Sequence, residues 1–280
     1  MKNAVLFKVI QRQSKFRNPK HLTKIPECFT YTADEFRSAS QYLEKLDDGN
    51  IRWTYPGHIF YPQAFYKMKE PPLFLEYQGH PFWSEHQFIS IVGSRQISPL
   101  TEAWLKRHIP QFIEKSRLGI VSGGAFGVDQ LVHALALKNE KPTLFVLPSG
   151  LENIYPSTLQ KFKLPPHSEL SCFVSEFELD QRIHKSHFYF RNRLIAALGE
   201  MTLVAQATLK SGSLLTVHHC LDIGRPVLTI PSHPEICGFD GNLKLVSEGA
   251  YSVSNSEQLL DFWQAESWSS STYHNQDYQI

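Results

Sequence analysis

Cysteine is scarce in this 280-residue sequence: Cys28, Cys172, Cys220 and Cys237 lie far apart, and no C-x-x-C pair occurs. Zinc sites and disulfide frameworks need closely spaced or numerous cysteines, so we predict neither and expect no bound metal. Isolated reduced thiols are typical of cytosolic proteins, which makes the cytoplasm the expected location. Long apolar runs are also missing, since none approaches the ~18 residues of a membrane span. The apolar residues near the N-terminus are interrupted by a lysine and lack a signal-peptide cleavage site, so we expect no membrane partner.

The N-terminal end of the chain lacks acids and the C-terminal end lacks Lys and Arg, although the net charge of the whole chain is only +1. Residues 1–26 carry seven cations and no acid, whereas five acids and no Lys or Arg follow Lys244. A basic arm with an acidic end occurs in polyanion-binding proteins, but it is as common in solvated termini, and both interpretations stay open. We predict an extended basic arm over residues 1–26 and a polar, acidic tail over 266–280.

The first predicted helix lies between the arm and the main domain. Thr32 and Glu35 have the spacing of a capping box, which predicts a helix from there to about Leu46, ended by Gly49. Proline and tyrosine are frequent between 53 and 72, which indicates irregular connecting structure. We therefore divide the chain into a basic arm with a short helix (1–52), a main domain (53–265) and the tail (266–280).

Strands and helices alternate from residue 73 onward. Short apolar, β-branched segments predict strands at 73–77, 88–92, 119–122, 143–147, 172–175, 202–205 and 227–230. Helical periodicity predicts helices at 100–115, 128–139, 193–198, 214–223 and 256–262. Apolar strands alternating with helices are typical of βαβ units in a sheet covered on both faces. The predicted fold class is α/β: a Rossmann-like, doubly wound, mostly parallel sheet with a short basic and helical N-terminal extension.

Ligands of such sheets bind beyond the carboxyl ends of the strands, so the loops at that edge form the candidate site. The first loop, Gly93-Ser94-Arg95, places a guanidinium after a small turn, although an ordinary surface turn would look the same. The second loop, residues 122–129, is rich in glycine. Glycines let the backbone approach an anion, and free N–H groups at the following helix start can bind it. This loop is a candidate phosphate cradle, and a tight turn needed only for packing is the alternative.

The glycine-rich loop does not match a nucleotide-cofactor motif. It is neither G-x-G-x-x-G nor a Walker loop, and no acid follows the next strand to hold a ribose. A nicotinamide or ATP site is therefore disfavoured. Asp129 and His133 lie four residues apart on the following helix and face the same way. They could form an acid–base pair, but we favour buried orienting hydrogen bonds.

The segment 182–193 combines cations with aromatic side chains. It carries four Lys or Arg residues and two histidines, interleaved with three aromatics, and no acid occurs between Asp180 and Glu200. Cations neutralise phosphates and aromatic faces stack on unpaired bases, which is how single strands are held without base readout. We predict that Arg191 and Arg193 contact phosphates and that Phe188 stacks on a base.

The fourth loop, Lys210-Ser211-Gly212-Ser213, follows the strand at 202–205. Its serines can cap the next helix, and its lysine and free N–H groups would form a second anion-binding site. Helix capping alone is the alternative interpretation. Two adjacent histidines follow at 218 and 219, but no carboxylate or cysteine stands at ligand spacing, so we predict no metal there.

Together these loops resemble the DprA/Smf family of DNA-processing proteins. The matching motifs follow in family order from about Trp53 to Phe262, and so many ordered motifs make the resemblance specific. They are Gly93-Ser94-Arg95, residues 122–129 with His133, residues 188–195, residues 211–216 and Gly224-Arg225-Pro226-Val227. The resemblance implies an extended Rossmann fold, binding of single-stranded DNA, a homodimer, and loading of the RecA recombinase during natural transformation. It implies neither catalysis nor a cofactor.

The predicted DNA-binding residues come from all four loops. By resemblance, the contacts would include Arg95, Lys185, Phe188, Arg191 and Arg193. The full predicted set is Arg95, Gly123, Gly124, Phe126, Gly127, Lys185, Phe188, Arg191, Asn192, Arg193, Lys210, Ser211, Gly212 and Ser213. Three positions depart from the family pattern: Tyr189 stands where proline is usual, Gln206 stands where an acid is common, and Pro231-Ser232 stands where Pro-Gly is usual.

Two other functions remain as alternatives. Related Rossmann-like proteins hydrolyse nucleoside monophosphates with a Pro-Gly-Gly-x-Gly-Thr loop and a glutamate on the next helix. This sequence lacks that loop, and no glutamate follows its own glycine-rich loop until Glu140, so it offers no good acid or base near a ribose. A small-nucleotide sensor would use the same loops without the aromatic side chains of segment 182–193.

Overall fold

The computed structural model describes residues 1–14, 25, 29–165 and 167–274, with side chains up to residue 265. The described chain forms a sheet flanked by helices. The strands are β1 (Arg52–Thr54), β2 (Leu75–Gln78), β3 (Phe88–Gly93), β4 (Gly119–Ser122), β5 (Thr143–Val146), β6 (Ser171–Ser175), β7 (Met201–Gln206), β8 (Val227–Thr229) and β9 (Tyr251–Ser252). The helices are α1 (Lys2–Gln13), α2 (Ala33–Asp48), α3 (Pro99–Ser116), α4 (Val128–Lys138), α5 (Lys185–Leu198), α6 (Ser213–Asp222), α7 (Asp240–Ser247) and α8 (Ser256–His274).

The strand order is β1-β2-β6-β5-β4-β3-β7-β8-β9. All pairings from β6 to β9 are parallel, while β1 with β2 and β2 with β6 are antiparallel. The chain runs outward from β3 through β4 and β5 to β6, then returns to the other side of β3 with β7. The winding direction therefore reverses between β3 and β7, and this is where a doubly wound sheet opens a crevice for ligands.

Helices cover both faces of the sheet, as the apolar strands predict. One core joins Val92, Val121 and Val204 to α5 and α6. On the other face, Ile91, Ile120 and the neighbouring strands pack on α3, α4 and α8. The predicted α/β class with a mostly parallel Rossmann-like sheet is confirmed.

All seven predicted strands are present, each within two residues of its predicted ends. β1 and β9 were not predicted because strands of three and two residues are too short to show a pattern. α7 was also missed, since it begins with the helix-unfavourable sequence Asp240-Gly241-Asn242. The capping box of α2 is confirmed: Thr32 Oγ1 accepts from the Glu35 amide, and Glu35 accepts from the Thr32 amide.

The prediction of an extended arm over residues 1–26 is wrong for the part that the structure describes. Residues 2–13 form α1, and its side chains from Ala4 to Gln11 are buried. Apolar residues of α1 pack with Leu43 of α2 and with Phe74 and Phe145 of the main domain. The positive charge suggested a solvated segment, but the apolar residues of α1 outweigh it because burying them stabilises the fold. The basic residues at 15, 17, 20 and 24 lie outside the described residues.

Lys8 has no exposed surface, and a buried network neutralises its charge. Its ammonium donates to Gln11 and, at 3.0 Å, to the equally buried Glu76 of β2. Arg12 pairs with Glu178 at 2.6 Å, just beyond β6. The basic character of α1 therefore fixes this helix to the sheet through ion pairs instead of reaching into solvent.

The predicted tail begins inside a helix. α8 runs from Ser256 to His274, so residues 266–274 continue the helix, while 275–280 lie outside the described residues. Within the described ranges, no helix is long and apolar enough to cross a bilayer.

Candidate nucleic-acid interface

A pocket of about 460 Å³ opens at the carboxyl edge of the sheet, between the ends of β3 and β7. We call it the strand-end pocket. Each of the four candidate loops contributes to its lining, as the sequence predicts. The lining includes Arg95 and Gln96 after β3, Ala125 and Asp129 at the start of α4, Phe188, Arg191 and Asn192 of α5, and Thr208 with residues 211–213 after β7.

The basic-aromatic segment is largely helical, which the sequence did not predict. α5 begins at Lys185, eight residues before the predicted start, because the side chain of His184 accepts a hydrogen bond from the Ser186 amide (3.3 Å) and caps the helix. Side chains of α5 therefore point in directions set by the helical turn of about 100° per residue. Arg191 and Arg193, two residues apart, consequently point to different sides of the helix.

Arg191 lies beneath the strand-end pocket and is only 5% exposed. Its Nη1 donates to the carbonyl oxygens of Gly123 (2.6 Å) and Val146 (2.8 Å) at the ends of β4 and β5. A Cβ at position 123 would lie 1.8 Å from this nitrogen, so only glycine allows the contact. Burial lowers the pKa of Arg191 to about 10, and nearby Arg95 adds to the shift while Asp129 opposes it. Arg191 thus stabilises the glycine-rich loop through a hydrogen bond and contributes positive charge to the lining of the strand-end pocket.

Asp129 forms a hydrogen bond with the backbone of the glycine-rich loop. Its carboxylate accepts from the Ala125 amide at 3.2 Å, and the Val128 amide donates to the Ser94 carbonyl. These two N–H groups are therefore not available to an external phosphate, which favours the tight-turn interpretation over the phosphate cradle. Burial raises the pKa of Asp129 to about 6, although Arg191 and the loop amides favour the charged form.

Close contacts between the first two loops require a second glycine. Gly127 has a φ of +79°, and a Cβ there would lie 2.3 Å from the Ser94 carbonyl. Ser94 is itself held by the Gln206 carbonyl, to which its amide donates at 2.8 Å. The Gln206 side chain accepts from Ser98 at the start of α3. Gln206, which departs from the family pattern, therefore holds the N-cap residue of α3 and fixes the loop that carries Arg95.

Phe188 stands between two guanidinium groups at the pocket. Arg95 lies 5.4 Å from the ring centre and Arg191 lies 5.6 Å from it. The ring is half-buried and Arg95 is exposed, so both can meet a ligand. Two cations at an aromatic face are favourable, because the negative face of the ring attracts them. This arrangement presents a stacking surface and positive charge at the same place.

Asn192 connects α5 to the fourth loop. Its Nδ2 donates to the Gly212 carbonyl at 3.2 Å. Ser211 Oγ accepts from the Ser213 amide at 3.2 Å and so helps to cap α6. The capping role of this loop is present in the structure, and residues 211–213 also line the strand-end pocket.

Arg193, a predicted phosphate contact, is paired within the protein. Its Nη2 binds both carboxylate oxygens of Glu176 at 2.5 and 2.7 Å, and the two side chains are 9% and 5% exposed. Arg193 lines a separate cavity with Tyr189 and His219. Because this guanidinium is buried and paired, we expect Arg193 to stabilise the fold and not to contact DNA.

The remaining predicted residues surround the strand-end pocket without lining it. Lys185 and Lys210 are exposed, which suits contacts with a longer ligand. Gly124 has a φ of +71° and packs on Leu159. Phe126 is exposed and lines a smaller cleft beside the pocket, together with Gly123.

His133 is remote from the pocket chemistry. Its Nδ1 shares a hydrogen bond with Thr143 Oγ1 (2.6 Å), and its ring stacks on Phe145 with centres 3.6 Å apart. Burial lowers the pKa of His133 to about 3, so the ring is neutral. Asp129 and His133 each have other partners, as the orienting interpretation predicts. Among the residues that the structure describes, no three His, Cys, Asp or Glu side chains form a group that could hold a metal.

Sequence reasoning missed several lining residues. Gln96 and Thr208 sit just after predicted strands, and Leu215 and Thr216 lie on the first turn of α6. Their position at the ends of strands and helices is the feature of the sequence that could have indicated a pocket residue. Ordinary polar and apolar side chains at such positions do not stand out without the tertiary structure.

The fold and site define a Rossmann-like protein whose strand-end pocket combines arginines with a half-buried aromatic ring. Comparison with known proteins assigns it more narrowly. Residues 52–264 match the family model of DNA recombination-mediator protein A. Protein Smf of Synechocystis is 31% identical over 224 residues, which cover 79% of this chain and 56% of that protein.

Two solved structures are similar as well. DNA processing protein A from Streptococcus pneumoniae superposes with a TM-score of 0.73 at 26% identity, covering 92% of both chains. DNA processing protein A from Helicobacter pylori superposes with a TM-score of 0.67 at 27% identity, covering 77% of this chain and 97% of that one. The single-stranded DNA binding mode of that protein has been characterised structurally. The chain therefore belongs to the DprA/Smf family of DNA processing proteins, as its motifs predict. It spans about 56% to 67% of the length of the first curated relatives that it matches.

Proposed function

We propose that this chain binds single-stranded DNA in the strand-end pocket, without catalysing a reaction on it. The observation that carries the proposal is the position of Phe188 between Arg95 and Arg191. An unpaired base can stack on the ring while phosphates on either side meet the guanidinium of Arg95 and, outside the pocket, Lys185 or Lys210.

The balance of charge supports a polyanionic ligand. Arg95 is exposed at the pocket, and the one acid in its lining, Asp129, is buried against the loop amides and near Arg191. Binding of DNA would then release counterions from phosphates that Arg95 and the flanking lysines neutralise. The characterised single-stranded DNA binding of the Helicobacter pylori relative supports the same ligand class.

Base stacking explains why an unpaired strand is the proposed ligand. Duplex DNA offers phosphates but keeps its bases stacked on each other, so it cannot use Phe188. We expect single-stranded DNA to bind at least roughly tenfold more tightly than duplex of the same length at moderate salt. A competition gel shift with both forms of one sequence tests this, and equal affinities would refute stacking as the basis of binding.

The two candidate acid–base residues have other partners within the protein. A general base must reach the reacting proton, whereas His133 is buried against Phe145 and Asp129 is engaged by the loop amide of Ala125. We therefore propose a binding protein. A purified, metal-free preparation that cleaves DNA or a nucleotide, and stops doing so in Asp129→Asn, would show that the alternative of a hydrolase is correct.

We further propose that the bound strand is protected and passed to the RecA recombinase, and that the chain acts as a homodimer. Membership in a family described as recombination mediators supports the first part. The purified chain should accelerate RecA assembly on single strands covered by a competing single-strand binding protein. Sedimentation of the free protein measures the oligomer. A monomer, or no effect on RecA, would remove the corresponding part of the proposal.

A further inference from the structure

A second exposed aromatic side chain lies beside the strand-end pocket. Tyr155, in the segment between β5 and β6, is 44% exposed, and Phe126 of the glycine-rich loop is 47% exposed. Together with Phe188 and the two prolines Pro148 and Pro156, they line a narrow cleft. We call it the aromatic cleft.

The aromatic cleft adjoins the strand-end pocket directly. Both are lined by Arg95, Ala125, Phe188 and Arg191. Phe188 therefore forms a shared wall, and a strand that stacks one base on it has its next base at the mouth of the cleft. Arg95 lies at the same boundary, where the phosphate between two such bases would pass.

Hydrogen bonds hold the walls of the cleft in place. Gln130 of α4 donates to Thr158 (3.0 Å) and to the Gly124 carbonyl (3.3 Å), which joins the glycine-rich loop to the segment after Tyr155. On the opposite side, the His187 ring shares a hydrogen bond of 3.1 Å with the Pro148 carbonyl. A preorganised site of this kind loses little conformational entropy when a ligand binds.

Cations lie along the same side of the molecule. Two hydrogen bonds join the segment 150–153 to the residues just before α5. The Gly150 amide donates to the Gln181 carbonyl (2.9 Å), and the Asn153 side chain donates to the Asp180 carbonyl (2.7 Å). The exposed Arg182 and Lys185 follow immediately. Aromatic faces next to cations are how proteins hold successive unpaired bases and their phosphates.

We propose that Tyr155, with Phe126, holds the nucleobase adjacent to the one stacked on Phe188, so that the bound strand runs from the strand-end pocket across the aromatic cleft. The ligand is an unpaired nucleobase of the same single strand, recognised by stacking. This inference rests on the proposed function and adds Tyr155 to the DNA-contact residues, which the motifs did not do.

The test compares Tyr155→Ala with Tyr155→Phe and Tyr155→Trp in the full chain, using oligo-dT of about 16 nucleotides. The alanine variant should bind at least roughly fivefold more weakly, because one base–aromatic stack is removed. The phenylalanine and tryptophan variants keep a ring and should bind within about twofold of the parent, since stacking tolerates any aromatic face. Melting curves of all three verify folding, so a weak Tyr155→Ala variant is accepted as support only if it melts like Tyr155→Phe.

A double variant separates direct stacking from an effect through Phe188. If each ring holds its own base, the losses from Tyr155→Ala and Phe188→Ala add in free energy. If Tyr155 only positions Phe188, Tyr155→Ala costs nothing further in the Phe188→Ala background, and the inference is overturned. Photocrosslinking with 5-iodouracil in the oligonucleotide should also label Tyr155.

The outcomes distinguish this inference from the proposed function. If the parent binds oligo-dT and Phe188→Ala weakens it while Tyr155→Ala binds like the parent, the cleft is not a base site but the proposed function stands. If the parent does not bind single strands at all, the proposed function itself fails.

Discussion

The contrast between Arg95 and Arg193 gives the sharpest test of the interface. Both are arginines of family motifs, and the sequence predicted that both contact DNA. The structure separates them, because Arg95 is exposed beside Phe188 whereas Arg193 is buried against Glu176. The matched variants Arg95→Met and Arg193→Met remove the same charge while keeping a side chain of similar length.

The expected magnitudes follow from burial. Arg193→Met leaves the Glu176 carboxylate, 5% exposed, without its guanidinium partner. Removing one partner of a buried ion pair typically costs about 3–5 kcal/mol. For a domain of this size, that loss lowers the melting temperature by roughly 6–20 °C. Arg95→Met removes an exposed side chain, so the melting temperature should change little.

Salt dependence of binding should show the reverse pattern. Each phosphate of a single strand that the protein no longer neutralises reduces the log–log slope of affinity against salt by about 0.7. We expect this reduction in Arg95→Met and an unchanged slope in Arg193→Met, measured well below its melting temperature. Affinity at three salt concentrations and a melting curve for each variant are sufficient. An Arg193→Met protein that melts like the parent and has a flatter slope would refute the assignment.

Three further outcomes are expected. Phe188→Ala should weaken single-strand binding by roughly 1–3 kcal/mol and leave the salt slope unchanged, whereas parent-like affinity would remove stacking from the mechanism. Burial raises the pKa of Asp129 from 3.8 to about 6, so the folded protein binds more protons than the unfolded chain in that window and stability falls there as pH rises. Asp129→Asn should abolish this contribution in melting curves recorded from about pH 4 to 6, and an unchanged pH dependence would contradict the assignment. Lys8→Met should destabilise the fold by about 3–5 kcal/mol because it removes the cationic partner of the buried carboxylate of Glu76, and Lys8→Met with Glu76→Leu should recover much of that loss in denaturant unfolding. Additive losses would argue against the ion pair.

Local patterns were sufficient for the sheet except its two short edge strands, β1 and β9, and for the loops that meet at its edge. The strands at 88–93, 119–122 and 201–206 are mostly apolar because both faces are covered, and that property is visible in the sequence. The capping box of α2 depends on two side chains three residues apart, so it was equally visible. Parallel strands place their carboxyl ends at one edge, which is why four separate loops could be predicted to converge on one pocket.

Long-range partners decided what the individual side chains do. The charge of α1 suggested a solvated arm, but only the fold brings Glu76 and Glu178 to Lys8 and Arg12. Similarly, Asp129 turns inward to loop amides, although an open glycine-rich loop with free N–H groups looks the same in the sequence.

The helical form of the basic-aromatic segment is the main difference from the predicted loop. As a loop, residues 182–193 could have turned every cation toward DNA, and composition alone does not exclude this. As a helix, residues two apart diverge by about 200° around the axis, so Arg191 and Arg193 cannot serve the same surface. The sequence alone determined which segments carry charge and rings. The tertiary structure decided which of them face the pocket, because direction depends on helix phase and on partners distant in the chain.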